Sequence, residues 1–276
     1  MEKLQKALQK ARELREGQGD PGSRPAPRTA ARPAGSSEGP WAELPPFLPD
    51  PEALVRNRIF SYTAQKEAAP FDVLRTKLFL TMRQNGWTRV AITSPEQGCG
   101  KTTIACNLAF GLSRQTQTRT MLLDLDMRRP SAARMLGHTP RTAMRDLLTG
   151  EITPQEHMVC VNGNLALALS SGSVADPADI LSARQTGEVL DSLQARYAPH
   201  VMIFDTGPIL QTDDARAVLK YVDCALVIAK SEQTRVSQLD VCEHEVGQHT
   251  NLLGIVLNDC RHVDPEADYY YSASEG

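Results

Sequence analysis

The stretch from Arg89 to Ser113, "RVAITSPEQGCGKTTIACNLAFGLS", constrains this chain more than any other. A β-branched apolar run leads into a loop holding Gly98 and Gly100, and a helical run then opens on Lys101, Thr102 and Thr103. Strand, glycine loop and helix in that order form the setting of a phosphate-binding loop. Glycines let successive backbone N–H groups curl around phosphate oxygens, and the helix N-terminus adds partial positive charge. Gly98, Cys99, Gly100, Lys101, Thr102 and Thr103 are therefore the nucleotide-binding candidates. Lys101 would reach the β- and γ-phosphates and Thr102 would offer its hydroxyl to magnesium. Pro95 stands where the generic G-x-x-x-x-G-K-[ST] pattern has its first glycine.

The same alternation of short apolar runs and amphipathic stretches continues from about Arg58 to Arg261. The runs are Val90 to Thr93, Met121 to Leu125, Leu165 to Leu169, Val201 to Phe204, Ala225 to Ala229 and Leu253 to Leu257. Near-continuous apolar strands separated by helices predict an α/β fold: a mostly parallel sheet with helices on both faces. The second run ends in "LLDLDMRRP", with Asp124 and Asp126 two residues apart, and the fourth ends in "IFDTGP", with Asp205. Period-two alternation puts Asp124 and Asp126 on one side of the chain. At the carboxyl ends of parallel strands, beside a phosphate loop, such carboxylates meet a metal-bound nucleotide. One can hold a magnesium shell while another accepts a proton from an attacking hydroxyl or water. The alternative for Asp124 and Asp126 is a strand-end carboxylate capping the next helix.

Outside this region the composition changes. Residues 1–17 place Leu4, Leu8, Ala11 and Leu14 at helical spacing among lysines and arginines, predicting a short amphipathic helix. Such a helix is marginal alone and needs a surface: another protein, a lipid layer or the body of this chain. Residues 18–57 are rich in proline and glycine and predict a disordered linker, in which Trp41 and Phe47 are either a docking motif or stray aromatics. Residues 263–276 carry Asp264, Glu266, Asp268 and Glu275, no Lys or Arg, and the run Tyr269, Tyr270, Tyr271, predicting a flexible acidic tail. Thirty basic against 33 acidic side chains leave no basic excess for nucleic acid. No apolar run approaches the roughly 20 residues of a membrane helix, so the expectation is a cytoplasmic chain. Six scattered cysteines show no metal-binding spacing.

The set "SPEQGCGKTT", "LLDLDMRRP", "IFDTGP", "TDDARAVLKYVDCALVIAKSEQT" and "LLGIVLND" resembles the bacterial protein tyrosine kinases, a phosphate-loop ATPase group related to the partition and division-site ATPases. "LLTGE" at Leu147 to Glu151 and "DPADILSA" at Asp176 to Ala183 are similar too, and the resemblance covers about Ala64 to Arg261. It implies ATP and Mg2+ as cofactors and autophosphorylation of Tyr269, Tyr270 and Tyr271, delivered from one subunit to its neighbour in a homo-oligomer. It further implies control of exopolysaccharide or capsule chain length and export. The partners implied are a separate transmembrane co-polymerase that recruits the chain to the inner face of the membrane, and a cognate tyrosine phosphatase.

Position by position, the resemblance implies catalytic roles for Lys101, Asp124, Asp126 and Asp205, and metal contacts for Thr102, Asp126 and Asp205. Asp214 falls at an acidic position that assists magnesium or the tail. Asn258 falls where related ATPases read the adenine edge, or is a simple turn residue. Arg128 and Arg129 pair with phosphates or a neighbour's tail, or are solvated. Three departures stand out. The family's Glu-x-x-Arg-x-x-Arg assembly signature is represented only by Arg75, with Ala69 and Asp72 in the earlier stretch. Gly207 replaces the first proline of Asp-Thr-Pro-Pro, which predicts a more mobile loop. Glu96 stands where the positioning-type ATPases, the alternative class, carry a signature lysine.

Overall fold

Short runs of Val, Ile, Leu and Ala need cover on both faces, and the computed structural model provides it with a seven-stranded sheet. It describes residues 39–63 and 66–260. The first elements are α1 (Pro51–Arg56), α2 (Ala69–Asn85), β1 (Arg89–Thr93), α3 (Lys101–Ser113) and β2 (Thr120–Asp124). Three short helices follow, α4 (Ala132–Met135), α5 (Met144–Leu148) and α6 (Pro154–His157), and then β3 (Val159–Val161) and β4 (Leu165–Ala168). The chain continues through α7 (Ala178–Ser182), α8 (Arg184–Tyr197), β5 (Val201–Asp205), α9 (Asp213–Leu219), β6 (Cys224–Lys230), α10 (Val236–His249) and β7 (Asn251–Asn258).

The strand order is β3-β4-β2-β5-β1-β6-β7. All neighbours run parallel except β3, which pairs antiparallel with β4. All six expected strands form. β3 was not among them, because three residues carry too little apolar periodicity to separate from a loop. Two apolar layers sandwich the sheet. One includes Met121, Phe204 and Tyr197. The other includes Ile92, Phe110 and Ile203. α3 lies deep in the second layer and is buried nearly all round.

The expected disordered linker is corrected over residues 39–57. Trp41 and Leu44 are buried in the first layer and Leu54 in the second. Trp41 donates its indole N–H to the Tyr197 carbonyl at 2.7 Å, and the two rings meet edge to face at 6.0 Å. Beyond it, Phe47 donates to the Cys160 carbonyl and Cys160 to the Pro45 carbonyl, both at 2.8 Å. This segment therefore covers the outer edge of β3. Proline is compatible with such a place, since an edge strand needs no donor on its solvent side. Trp41 and Phe47 are structural contacts. The expected N-terminal helix, residues 18–38 of the expected linker, and the tyrosine-bearing segment lie outside the described residues.

Two expectations follow for stability. Trp41→Ala removes the largest anchor of the edge segment and should destabilise the chain by about 3 kcal/mol in urea unfolding. His157 is buried with Nδ1 2.7 Å from the Thr142 hydroxyl, and burial holds its pKa down to about 4 from the usual 6.5. The neutral ring belongs to the folded state, so its stabilisation is complete above about pH 6.5 and is lost as pH falls toward 4. His157→Gln should flatten that part of the pH–stability profile, and an unchanged slope would refute it.

Candidate active site

The site is assembled by strand register. Asp124 at the end of β2 lies directly opposite Asp205 at the end of β5, and Ile92 of β1 lies opposite Asp205 on the other side. The loop after β1 therefore rises beside two strand-end carboxylates. Gly98 and Gly100 take φ of +81° and +95°, backbone that side chains rarely adopt. Gly100 is also hemmed in. A Cβ there would lie 2.2 Å from Asn258 Nδ2, the same nitrogen that donates to the Cys99 carbonyl at 2.8 Å. Asn258, at the end of β7, thus buttresses the loop itself.

Lys101 opens α3 and is buried. Its ammonium is the nearby cation that favours the ionised forms of Asp126 and Asp205. Asp205 is fully buried and neither of its oxygens has a hydrogen-bond partner of good geometry. Burial pushes its pKa well up, partly offset by the Thr102 hydroxyl and Lys101. Asp124 is equally buried, and burial followed by the charge of Asp205 raises it. Its Oδ2 accepts from the backbone of Ser131 and Ala132 at 3.2 and 3.1 Å, so the capping alternative holds for one oxygen while Oδ1 stays unpartnered. Asp126 is half-buried; burial raises its pKa and Lys101 opposes the rise.

Unpaired, desolvated carboxylate oxygens beside a phosphate loop fit a magnesium nucleotide. Among the described residues no three His, Cys, Asp or Glu side chains could hold a metal ion by themselves. Magnesium takes one or two carboxylates, a hydroxyl, water and substrate phosphates. Thr102 accepts from the Ser131 hydroxyl at 2.9 Å, a partner that sequence reasoning missed. The signal available for it was Pro130-Ser131 just before a helical run.

Other candidates are placed differently from their expected roles. Arg128 pairs with Asp214 (2.5 Å) and Asp176 (3.1 Å), so Asp214 is engaged within the chain. Glu96 accepts from Gln238 at 2.5 Å. The expected mobility at Gly207 is corrected as well. Thr93 donates to the Gly207 carbonyl and Thr206 to the Ile92 carbonyl, both at 3.0 Å, and Ile209 donates to the Ser94 carbonyl at 2.9 Å. Arg75 donates to the Gly111 carbonyl at 3.1 Å and pairs with Asp72, anchoring α2 on α3.

The description "CobQ/CobB/MinD/ParA nucleotide binding domain" matches residues 90–266. The chain belongs to that family. This nucleotide-binding domain is similar to "Tyrosine-protein kinase wzc" of Salmonella typhi, with 28% identity over 72% of the chain and 28% of the relative. It is also similar to "Tyrosine-protein kinase YwqD" of Bacillus subtilis, with 25% identity over 73% of the chain and 84% of the relative. The chain spans about a quarter of the length of the first curated relatives it matches. Among solved structures, the VpsO kinase domain is 26% identical, with a TM-score of 0.61 over 70% of this chain and 96% of that one. Cobyrinic acid a,c-diamide synthase from Mycobacterium smegmatis, solved with an ATP analog and magnesium, shares the fold. It is 21% identical, with a TM-score of 0.51 over 69% of this chain and 83% of that one.

Gly100→Ala should weaken nucleotide binding about tenfold or more, because its Cβ displaces Asn258 and its φ strains any L residue. Gly98→Ala, with open space around it, carries only the φ strain and should lose less. Titration of a fluorescent ATP analogue ranks the two variants, and equal affinities would exclude the buttress.

Proposed function

We propose that this chain is an ATP- and magnesium-dependent protein-tyrosine kinase whose acceptors are Tyr269, Tyr270 and Tyr271 of a second copy. The observation that carries the reading is Asp205. It is a fully buried carboxylate with both oxygens unpartnered, beside Lys101 and Thr102 at the mouth of a phosphate loop. The kinase names of its relatives and the tyrosine run of its own sequence supply the acceptor.

The backbone of Gly98 to Thr103 and the Lys101 ammonium would cradle the phosphates of ATP, and Asn258 would keep the loop in shape from behind. Thr102 and Asp205 would hold magnesium, which when bound would neutralise charge on the phosphates. Asp124, locked by Ser131 and Ala132, would sustain that arrangement. Asp126 was expected at the metal as well. Its partial exposure favours it instead as the carboxylate that accepts the tyrosine proton, because an incoming side chain can reach it. The phenol oxygen then bonds to the γ-phosphorus, the bond to the β–γ bridging oxygen breaks, and ADP leaves. Positioning and charge stabilisation carry such a step.

In the cell the kinase would act in exopolysaccharide or capsule synthesis, adjusting chain length and export. A separate transmembrane co-polymerase would recruit it to the inner face of the membrane and a tyrosine phosphatase would reset it. No described helix is long and apolar enough to cross a membrane.

Phosphosite mapping after incubation with ATP and magnesium tests the reading, beside a Lys101→Met control. Phosphate on Tyr269 to Tyr271 in the native chain and none in the control is the expected result. ATP consumed with no phosphotyrosine, even with a candidate activator present, would move the assignment to a positioning-type ATPase.

A further inference from the structure

Beyond the carboxyl ends of β2 and β4 the surface opens into a cavity of about 720 Å3 whose lining includes Arg128, Arg129, Arg134, His138, Ser170 and Ser171. No carboxylate is among the residues that line it. Arg128 is already neutralised by Asp214 and Asp176. Arg129 and Arg134 are exposed, and their guanidinium groups make no hydrogen bond or ion pair among the described residues, although the charge of Arg129 is close enough to favour the ionised form of Asp126. The basic cavity beside Arg89 is different, because Asp191 and Asp223 line it too. The one beyond β2 therefore holds two uncommitted guanidinium forks and several hydroxyls, the donor set that reads carboxylates bidentately. It also adjoins the active site, since the Arg129 backbone N–H donates to Asp126 Oδ1 at 3.3 Å.

The chain contains a matching ligand. Asp264, Glu266 and Asp268 alternate in "DPEAD" and run straight into Tyr269. In an extended peptide, residues two apart share a face at about 3.3 Å per residue, so all three carboxylates face one way. We propose that this cavity is the docking surface for the acidic segment of a second copy, with Arg129 and Arg134 as the specificity-determining residues that bring Tyr269 toward Asp126. The proposal rests on the kinase reading above.

Chain length favours a second copy over the segment's own domain. β7 and β2 are separated by β6, β1 and β5, four interstrand steps, or about 19 Å at ~4.8 Å per step. Four residues from Cys260 to Asp264 reach at most about 14 Å, so in its own domain Asp264 falls short of a cavity lying beyond β2 and the three acids cannot dock there together.

The test is a binding titration with a labelled peptide of residues 262–276 carrying Phe at the three tyrosine positions. The protein is the full chain carrying Asp264→Asn, Glu266→Gln and Asp268→Asn, so that it has no acidic segment of its own to compete. Binding should weaken tenfold or more in the Arg129→Gln, Arg134→Gln double variant. It should weaken equally when the same three acids of the peptide are neutralised, and the two losses should not add. An Arg129→Glu, Arg134→Glu chain should regain affinity for a peptide with lysines at those positions, which separates charge reading from misfolding. Equal binding of acidic and neutral peptides overturns the proposal, as does indifference to the arginines or a loss of ATP affinity in place of peptide affinity. The peptide accepts no phosphate, so its binding is independent of catalysis. A chain that binds it but phosphorylates no tyrosine fails the kinase reading and leaves the docking surface standing.

Discussion

Everything at the functional end of this domain depends on one unfavourable arrangement, two buried carboxylates held opposite each other. The β2–β5 register sets Asp124 beside Asp205, and both are shielded from water. Burial strips both of hydration, and the charge of Asp205 adds to the effect on Asp124, which is why both side chains are pushed toward their protonated forms. Stability alone would favour apolar residues there. The arrangement is tolerable because the buried Lys101 lies close by, and it becomes favourable when a cation and phosphates complete it. The carboxylates and the loop are therefore one electrostatic unit, in which the unpartnered oxygens of Asp205 measure what a ligand must supply.

The scaffold keeps that unit in place by rigid means. α3 is sunk among apolar side chains along almost its whole length, so Lys101 and Thr102 at its start cannot drift. The loop after β5 is pinned to the end of β1 through Thr93, Thr206 and Ile209. Asn258 braces the phosphate loop from the last strand. At the other end of the sheet, the proline-rich segment around Trp41 and Leu44 covers an edge that would otherwise present unpaired backbone groups to a neighbouring chain.

Much of this was legible in the residues because the signals were local. Six strands announced themselves as uninterrupted apolar runs, and the loop by glycines in the right setting. What stayed hidden depended on contacts distant in sequence. Trp41 lies in a composition that reads as a tether, and only Tyr197, 156 residues away, makes it a core residue. Arg128 and Asp214 were each singled out, but nothing in their spacing of 86 residues tells that they neutralise one another. Gly207 suggested freedom, yet its carbonyl is held by Thr93, 114 residues earlier. Local composition sets what a segment can do alone, whereas burial elsewhere decides what it does.

The pairing of Arg128 with Asp214 also changes how the basic surface beside the site must be understood. In sequence, Arg128 and Arg129 look equivalent. In the fold the first is spent inside the domain, whereas Arg129 and Arg134 are exposed and neither guanidinium is ion-paired among the described residues. Had all the arginines been paired, the mouth of the site would repel nothing and attract nothing. With two left over, the surface beside the site carries a local positive charge. The domain thus separates two tasks. The sheet holds a buried acidic cluster, and the loops beyond β2 and β4 hold guanidinium groups with no ion-pair partner among the described residues.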